Sequence, residues 1–163
     1  MLAALLLSLG LAANAPAQEA SPSLIIDKGV FAEAGTEKKV RMTGDDLRAL
    51  GTNTIEMSTV WTEGTDAFEV VPLAKILELH GLAGTPVEAI ALNEYRIVLP
   101  PKISKDALLA LSINGEALDP SEKGPFWIVF DFEDPKFANR LYQSAAVWQL
   151  YLLSAIAGNQ PAE

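Results

Sequence analysis

The chain contains no cysteine and only one histidine, His80, among its 163 residues. The absence of thiols excludes a cysteine nucleophile, an iron–sulfur cluster and any metal site held by cysteine. A Ser-His-Asp triad or a histidine-held metal would have to converge on His80. That residue stands just before Gly81 at the end of a predicted helix, which indicates a structural role. The sequence therefore favours binding over catalysis.

Positive charge is also scarce. Twelve Lys and Arg residues stand against 21 Asp and Glu residues, which gives a formal net charge of −9 and a pI of about 4.6. Nucleic acids and anionic membrane surfaces attract clustered Lys and Arg. We therefore expect no nucleic-acid partner, whereas a neutral small molecule remains compatible with this charge.

The N-terminus has the features of an export signal. Residues 1–12 are almost wholly apolar and are followed by Ala13-Asn14-Ala15-Pro16-Ala17. Such a run is typical of a secretory signal peptide and is shorter than the about 20 apolar residues that span a bilayer. The usual positive residues before the run are missing, and a hydrophobic N-terminal core helix is the alternative. We expect a signal peptide over 1–17, cleaved after Ala17 or else Ala15, a periplasmic location and a single domain over 18–163.

The remaining chain predicts an α+β domain that is mainly β, with a compact mixed or barrel-like sheet and short helices. Thr43 is suited to cap a short helix, and Pro72 opens a second helix that ends at Gly81. Asn114-Gly115 is a strong signal for a tight turn between antiparallel strands. Residues 135–142 are expected to form a short helix or a loop. Strand-like patterns cover residues 23–27, 53–60, 87–92, 95–99, 108–113, 116–118, 126–132 and 147–156, the last with a helix as alternative.

Aromatic and polar residues occur together at four predicted strand ends. Each group alone is typical of a turn with a core aromatic residue. Together they supply flat aromatic surfaces, a carboxylate and amide groups, which can stack a planar heterocycle and bind its hydrogen-bonding edge. The candidate ligand-binding residues are Trp61, Thr62, Asn93, Glu94, Tyr95, Lys123, Trp127 and Trp148.

Four short motifs follow one another along the chain. They are Val71-Pro72-Leu73, Asn114-Gly115-Glu116-Ala117-Leu118, Gly124-Pro125-Phe126-Trp127-Ile128-Val129 and Val147-Trp148-Gln149-Leu150. Their order and spacing resemble the molybdopterin-binding domain of sulfite-oxidase-type oxidoreductases. In that family a GVPL turn starts a helix, an NGEPL hairpin precedes a GxPxRxVVP strand, and SVKWL lies near the end. The resemblance covers roughly residues 39–156 and implies the fold of that domain.

The departures from the family pattern concern the metal and the phosphate. Enzymes of the family hold molybdenum through a cysteine in the strand that here reads Thr54-Ile55-Glu56-Met57-Ser58-Thr59. Serine or methionine is a poor substitute for that thiolate. The family's arginine and lysine, which would help to hold the phosphate of the cofactor, correspond to Trp127 and Val147. The chain is thus similar to a small cysteine-free branch of periplasmic pterin-binding proteins on this frame.

This resemblance implies a non-catalytic pterin sensor. It would act on the periplasmic domain of a membrane signalling protein, such as an enzyme of cyclic-di-GMP metabolism. The pterin would be a ligand and not a redox cofactor. Two alternatives remain open. One is a molybdopterin-dependent oxidoreductase, or a subunit of one, with an unusual metal ligand. The other is a periplasmic protein–protein interaction domain whose pocket is filled by side chains.

The pterin hypothesis assigns a role to each group of candidate residues. Trp61, Tyr95 and Trp127 would supply the stacking surfaces. Glu94 would accept hydrogen bonds from the 2-amino group and a ring N–H, which match the two oxygens of a carboxylate. The carbonyl or side-chain hydroxyls of the ligand would contact Asn93, Thr62 and Lys123.

Overall fold

The structure is a computed structural model that describes residues 21–157. The predicted signal peptide over 1–17 and the last six residues lie outside the described residues. Over 21–157, no helix is long and apolar enough to cross a membrane.

The described chain consists of short strands with short helices between some of them. The strands are β1 (Ser23–Asp27), β2 (Lys39–Thr43), β3 (Asn53–Ser58), β4 (Thr65–Pro72), β5 (Val87–Ala91), β6 (Arg96–Leu99), β7 (Leu108–Ile113), β8 (Glu116–Ala117), β9 (Trp127–Val129) and β10 (Leu150–Ala155). The helices are α1 (Gly44–Ala49), α2 (Leu73–Leu79), α3 (Pro101–Asp106) and α4 (Arg140–Ala145), and a 3-10 turn covers Gly29–Phe31. The predicted α+β class with a predominance of strands is confirmed.

The strands form two sheets. The first sheet has the strand order β2-β1-β10-β5-β6. It is a mixed sheet, because β1 and β10 run parallel while every other pair of neighbouring strands is antiparallel. The second is antiparallel with the order β3-β4-β7-β8, and β9 pairs with β7 beside β8. Neither sheet closes on itself over the described residues, so the barrel-like part of the expectation is replaced by two open sheets.

The second sheet is apolar on both faces. Because side chains alternate along a strand, Ile128 of β9 enters one cluster while Trp127 and Val129 enter another. We call the first cluster the main core; it contains residues of both sheets and of all four helices, among them Leu24, Leu47, Ile76, Ile103, Leu109, Ile128, Tyr142 and Leu153. We call the second the tryptophan cluster; it contains Trp61, Trp127 and Trp148 and, among others, Met57, Phe68, Val70, Ala110, Val129 and Phe132.

Local sequence signals produce several of these elements as predicted. The Thr43 hydroxyl accepts a hydrogen bond from the Asp46 amide, and the Asp46 carboxylate accepts one from the Thr43 amide at 2.8 Å. These bonds form a capping box for α1. The Thr43 hydroxyl also donates to the Asp46 carboxylate at 2.7 Å, and this bond, followed by the one from the Thr43 amide, lowers the pKa of Asp46. Between β7 and β8, Asn114 and Gly115 have φ values of 52° and 82°, which confirms the predicted tight turn.

Other elements differ from the prediction. The expected strand over 126–132 is limited to Trp127–Val129, because β9 pairs only with Leu108, Leu109 and Ala110 while β8 occupies the far end of β7. The last strand begins at Leu150 instead of Val147. Strand β4 and helix α3 were not predicted at all.

Candidate functional site

A short backbone ladder positions Trp148. The amide of Ile128 donates to the carbonyl of Val147, and the amide of Gln149 donates to the carbonyl of Lys123, both at 2.9 Å. This pairing fixes Trp148 beside Trp127, with 6.1 Å between ring centroids. Gly124 is required in this segment, because a Cβ atom there would collide with the backbone carbonyl of Leu118.

The turn between β5 and β6 presents Asn93 and Tyr95. Glu94 at its centre has a φ of 67°, and the side-chain oxygen of Asn93 accepts a hydrogen bond from the Tyr95 amide at 3.0 Å. The Tyr95 hydroxyl donates to the carbonyl of Ser144 in α4 at 3.0 Å. Tyr95 is therefore held by hydrogen bonds at its backbone amide and at its hydroxyl, although its side chain lies at the surface.

A cleft of about 190 Å³ opens where these segments meet. We call it the aromatic cleft. Four of the eight predicted residues come together in it from three separate parts of the chain. Its lining consists of Trp61, Asn93, Tyr95, Gln143, Ser144, Ala146, Val147 and Trp148. The aromatic cleft thus combines ring surfaces with two side-chain amides.

Trp127 does not line the aromatic cleft. Its side chain is 0% exposed, because strand alternation in β9 directs it into the tryptophan cluster. Its ring meets those of Trp61 and Trp148 edge to face at 5.8 and 6.1 Å, and that of Phe68 at 5.7 Å. The sequence predicted a ring that stacks on a ligand; in the structure this ring packs against other aromatic rings and supports the two tryptophans that line the aromatic cleft.

The remaining predicted residues lie near the aromatic cleft but not in its lining. Glu94 is exposed on the turn that carries Asn93. The Thr62 hydroxyl lies 3.0 Å from that of Thr59 and braces the loop that carries Trp61. The Lys123 ammonium lies 5.6 Å from the ring centroid of Trp148, at cation–π distance.

Helix α4 supplies Gln143 and Ser144, which the sequence analysis missed. The Asn139 side chain caps the helix by accepting a hydrogen bond from the Leu141 amide at 3.0 Å. The Tyr142 hydroxyl donates to Asp106 of α3, also at 3.0 Å, and burial together with Asp106 raises the pKa of Tyr142. Asn139 was the available signal for a helix start, but the predicted segment ended at residue 142, before Gln143.

The described residues do not fit a molybdenum centre of the sulfite-oxidase type. Within 21–157, no three His, Cys, Asp or Glu residues are arranged to hold a metal ion. In the strand where that family carries its cysteine, Met57 is fully buried in the tryptophan cluster. A thioether enclosed by apolar side chains does not replace the anionic thiolate of such a site.

The chain matches no protein-family profile, and no curated protein matches it. The resemblance to the sulfite-oxidase-type domain therefore stays a prediction from the motifs.

Proposed function

We propose that the protein is a non-catalytic periplasmic binding protein for a planar heterocycle, namely a pterin. The observation that carries this proposal is the aromatic cleft, where three rings and two side-chain amides meet. Small-molecule sites combine apolar and aromatic walls with a few polar groups that fix orientation, and the aromatic cleft has this composition.

The aromatic rings supply the stacking surface. Tyr95 keeps 45% of its surface exposed although its hydroxyl is tied to α4. Trp61 and Trp148 are half-buried beside it and meet edge to face at 5.9 Å. Covering such surfaces with a flat ring removes apolar area from water. Tyr95 loses little further freedom on binding, because its hydroxyl is already held by α4.

The amides supply the groups that bind the polar edge of the ring. The oxygen of Asn93 is already occupied by the Tyr95 amide, so its NH₂ group remains to donate. Among residues 21–157 the side chain of Gln143 has no hydrogen-bond partner, and it lines the aromatic cleft. A primary amide matches the adjacent N–H and C=O of a pterin lactam with one donor and one acceptor.

The lining also supports binding over catalysis. Apart from the phenol of Tyr95, no lining residue carries a titratable side chain. General acid–base chemistry needs a group whose pKa lies near the operating pH, and His80 lies elsewhere, with its Nε2 3.3 Å from the sulfur of Met42.

A membrane signalling partner follows from the resemblance, and one observation supports it. Exposed apolar side chains stand next to lining residues: Val60 precedes Trp61, Leu92 precedes Asn93, and Leu141 lies one helical turn before Ser144. Such side chains are suited to contact a partner that senses whether the aromatic cleft is filled. The same side chains, with Trp127 fully buried, favour an interaction domain without a small ligand as the second candidate.

Calorimetric titration of neopterin into the mature protein tests the proposal. We expect wild-type protein to bind, and Trp148→Ala to bind about ten- to a hundredfold more weakly, because stacking on one aromatic side chain is worth about 1–3 kcal/mol. Trp148→Phe retains an aromatic surface and should lose only part of the affinity.

Phe31→Ala is the matched control, since Phe31 is a surface aromatic residue outside the aromatic cleft. It should bind neopterin as the wild type does. Equal binding by Trp148→Ala, or no binding by the wild type, would contradict the proposal. Native mass spectrometry of protein from its own periplasm separates the alternatives: a pterin mass supports the proposal, and molybdenum with molybdopterin supports the oxidoreductase.

A further inference from the structure

The indole N–H of Trp127 lacks a hydrogen-bond partner. Within residues 21–157, the Trp127 Nε1 is the one buried side-chain nitrogen or oxygen atom that has no hydrogen-bond partner. Buried tryptophan N–H groups normally find an acceptor, and leaving one unpaired is unfavourable. The surroundings in the tryptophan cluster are apolar, which strengthens any hydrogen bond that an incoming acceptor forms there.

The half-buried Trp61 side chain covers part of the fully buried Trp127 ring. Its ring contacts Trp127 at 5.8 Å, Phe132 at 5.7 Å and Trp148 at 5.9 Å. It also lines two clefts, the aromatic cleft and a second cleft of about 250 Å³ whose lining includes Val60 and Phe132. Gln143 lines both clefts as well.

The backbone of Trp61 is held while its side chain is only half-buried. The Trp61 amide donates to the Thr59 hydroxyl at 3.1 Å, and that hydroxyl also pairs with Thr62. Because the Trp61 ring lines both clefts, its rotation would open one cleft to the other. The two clefts, of about 190 and 250 Å³, would together reach the few hundred Å³ that small-molecule sites occupy. The same rotation would uncover part of the Trp127 ring.

We propose that the Trp127 indole N–H is the specificity-determining donor of the site, and that a ligand reaches it by displacing the Trp61 side chain. This inference rests on the proposed function and names the ligand chemistry: a planar heterocycle with a carbonyl oxygen or unprotonated ring nitrogen at its leading edge. A buried donor discriminates strongly against a ligand of the same shape without an acceptor, because the donor is then left unpaired.

Nuclear magnetic resonance of ¹⁵N-labelled mature protein tests the inference directly. The three tryptophans give three indole N–H signals, which single Trp→Phe variants assign. On titration with neopterin, we expect the Trp127 indole proton to move downfield as it gains an acceptor, together with a shift of the Trp61 signal.

The outcomes are distinguishable. Shifts of Trp61 and Trp148 without a change at Trp127 would overturn the donor role while leaving pterin binding intact. No shift of any indole signal, with no heat in calorimetry, would overturn the proposed function and this inference with it.

A substitution that preserves shape provides the second test. Trp127→β-(3-benzothienyl)alanine replaces the N–H with sulfur, so the packing is kept and only the donor is lost. We expect the affinity for neopterin to fall about tenfold, while the melting temperature stays equal or rises because no unpaired donor remains. Phe31→Ala, at a surface aromatic residue outside the aromatic cleft, is the control and should retain affinity. Equal affinity of the Trp127 variant and the wild type would contradict the proposal.

Discussion

The main core and the tryptophan cluster lie on opposite faces of the second sheet and are built differently. Among the described residues, every buried polar side-chain atom in the main core has a partner, whereas the tryptophan cluster leaves the Trp127 N–H unpaired. The aromatic cleft also borders the tryptophan cluster through Trp61 and Trp148. We therefore expect one face of the sheet to maintain the fold and the other to serve the ligand proposed above.

The same strands serve both regions. In β7, Leu109 belongs to the main core and Ala110 to the tryptophan cluster, and in β9 the same holds for Ile128 and Trp127. A shift of register by one residue would exchange the two sets. The positions of Trp127 and of the rings it supports therefore depend on the packing of the main core.

The largest expected effect comes from a cavity in the main core. Leu109→Ala removes a fully buried side chain and should lower the free energy of unfolding by about 2–5 kcal/mol, measured by urea denaturation. Leu79→Ala is the control because Leu79 is 57% exposed, and it should change stability by no more than about 0.5 kcal/mol. Similar losses in both variants would contradict the assignment of Leu109 to the main core.

The second test asks whether the site beside the tryptophan cluster discriminates against a phosphorylated ligand. Both positions that would carry the family's phosphate-binding cations, Trp127 and Val147, are buried, and Lys123 is the cation placed against a lining ring. Neopterin should bind about tenfold more tightly than its monophosphate, since a missing charge-assisted hydrogen bond is worth about 1.5–3 kcal/mol.

Ser144→Arg adds a cation at an exposed lining position of the aromatic cleft. It should therefore reduce the difference in affinity between neopterin and its monophosphate. It is preferable to Trp127→Arg, which would bury an unpaired guanidinium. Tighter binding of the monophosphate by wild-type protein would show that the site accommodates a phosphorylated cofactor.

A smaller effect distinguishes two neighbouring residues. Asn93 lines the aromatic cleft and Glu94 does not, although the sequence assigned the edge-binding role to the Glu94 carboxylate. Asn93→Ala should weaken neopterin binding several-fold through loss of one hydrogen bond of about 0.5–1.5 kcal/mol. Glu94→Gln should change it less. If calorimetry shows a larger loss of affinity for Glu94→Gln than for Asn93→Ala, then Glu94 and not Asn93 binds the polar edge of the ligand.

The smallest effect concerns the pH dependence of stability and involves His80. Burial, with a further contribution from Lys28, lowers the pKa of His80 from its ordinary value of 6.5. Below pH 6.5 the unfolded chain therefore binds more protons at this residue than the folded protein does, so stability should fall as the pH falls. Because His80 is only partly buried, we expect roughly a few tenths of a kcal/mol between pH 7 and 5.5. In His80→Gln the free energy of unfolding should depend less on pH over this range. An unchanged pH dependence would contradict the lowered pKa of His80.

Local signals in the sequence predicted part of this structure. The cap at Thr43 and the tight turn at Asn114-Gly115 act within a few residues, and both were identified correctly. Trp61, Asn93, Tyr95 and Trp148 were found because aromatic and polar residues at strand ends gather at sheet edges.

The remainder depends on contacts that sequence spacing does not reveal. The burial of Trp127 follows from the pairing of β9 with Leu108, Leu109 and Ala110. Gln143 reaches the aromatic cleft because Tyr95 and Asp106 tie α4 in place, each through a hydrogen bond to a distant part of the chain.

A crystal structure of the mature protein with neopterin tests the central claim most directly, namely that the aromatic cleft is a ligand site. The claim predicts the pterin ring against Tyr95 and Trp148, with its lactam edge at Gln143. A ligand bound instead in the polar cleft of about 480 Å³ beside Arg48 and Glu69 would contradict it. An empty aromatic cleft at saturating neopterin would do the same.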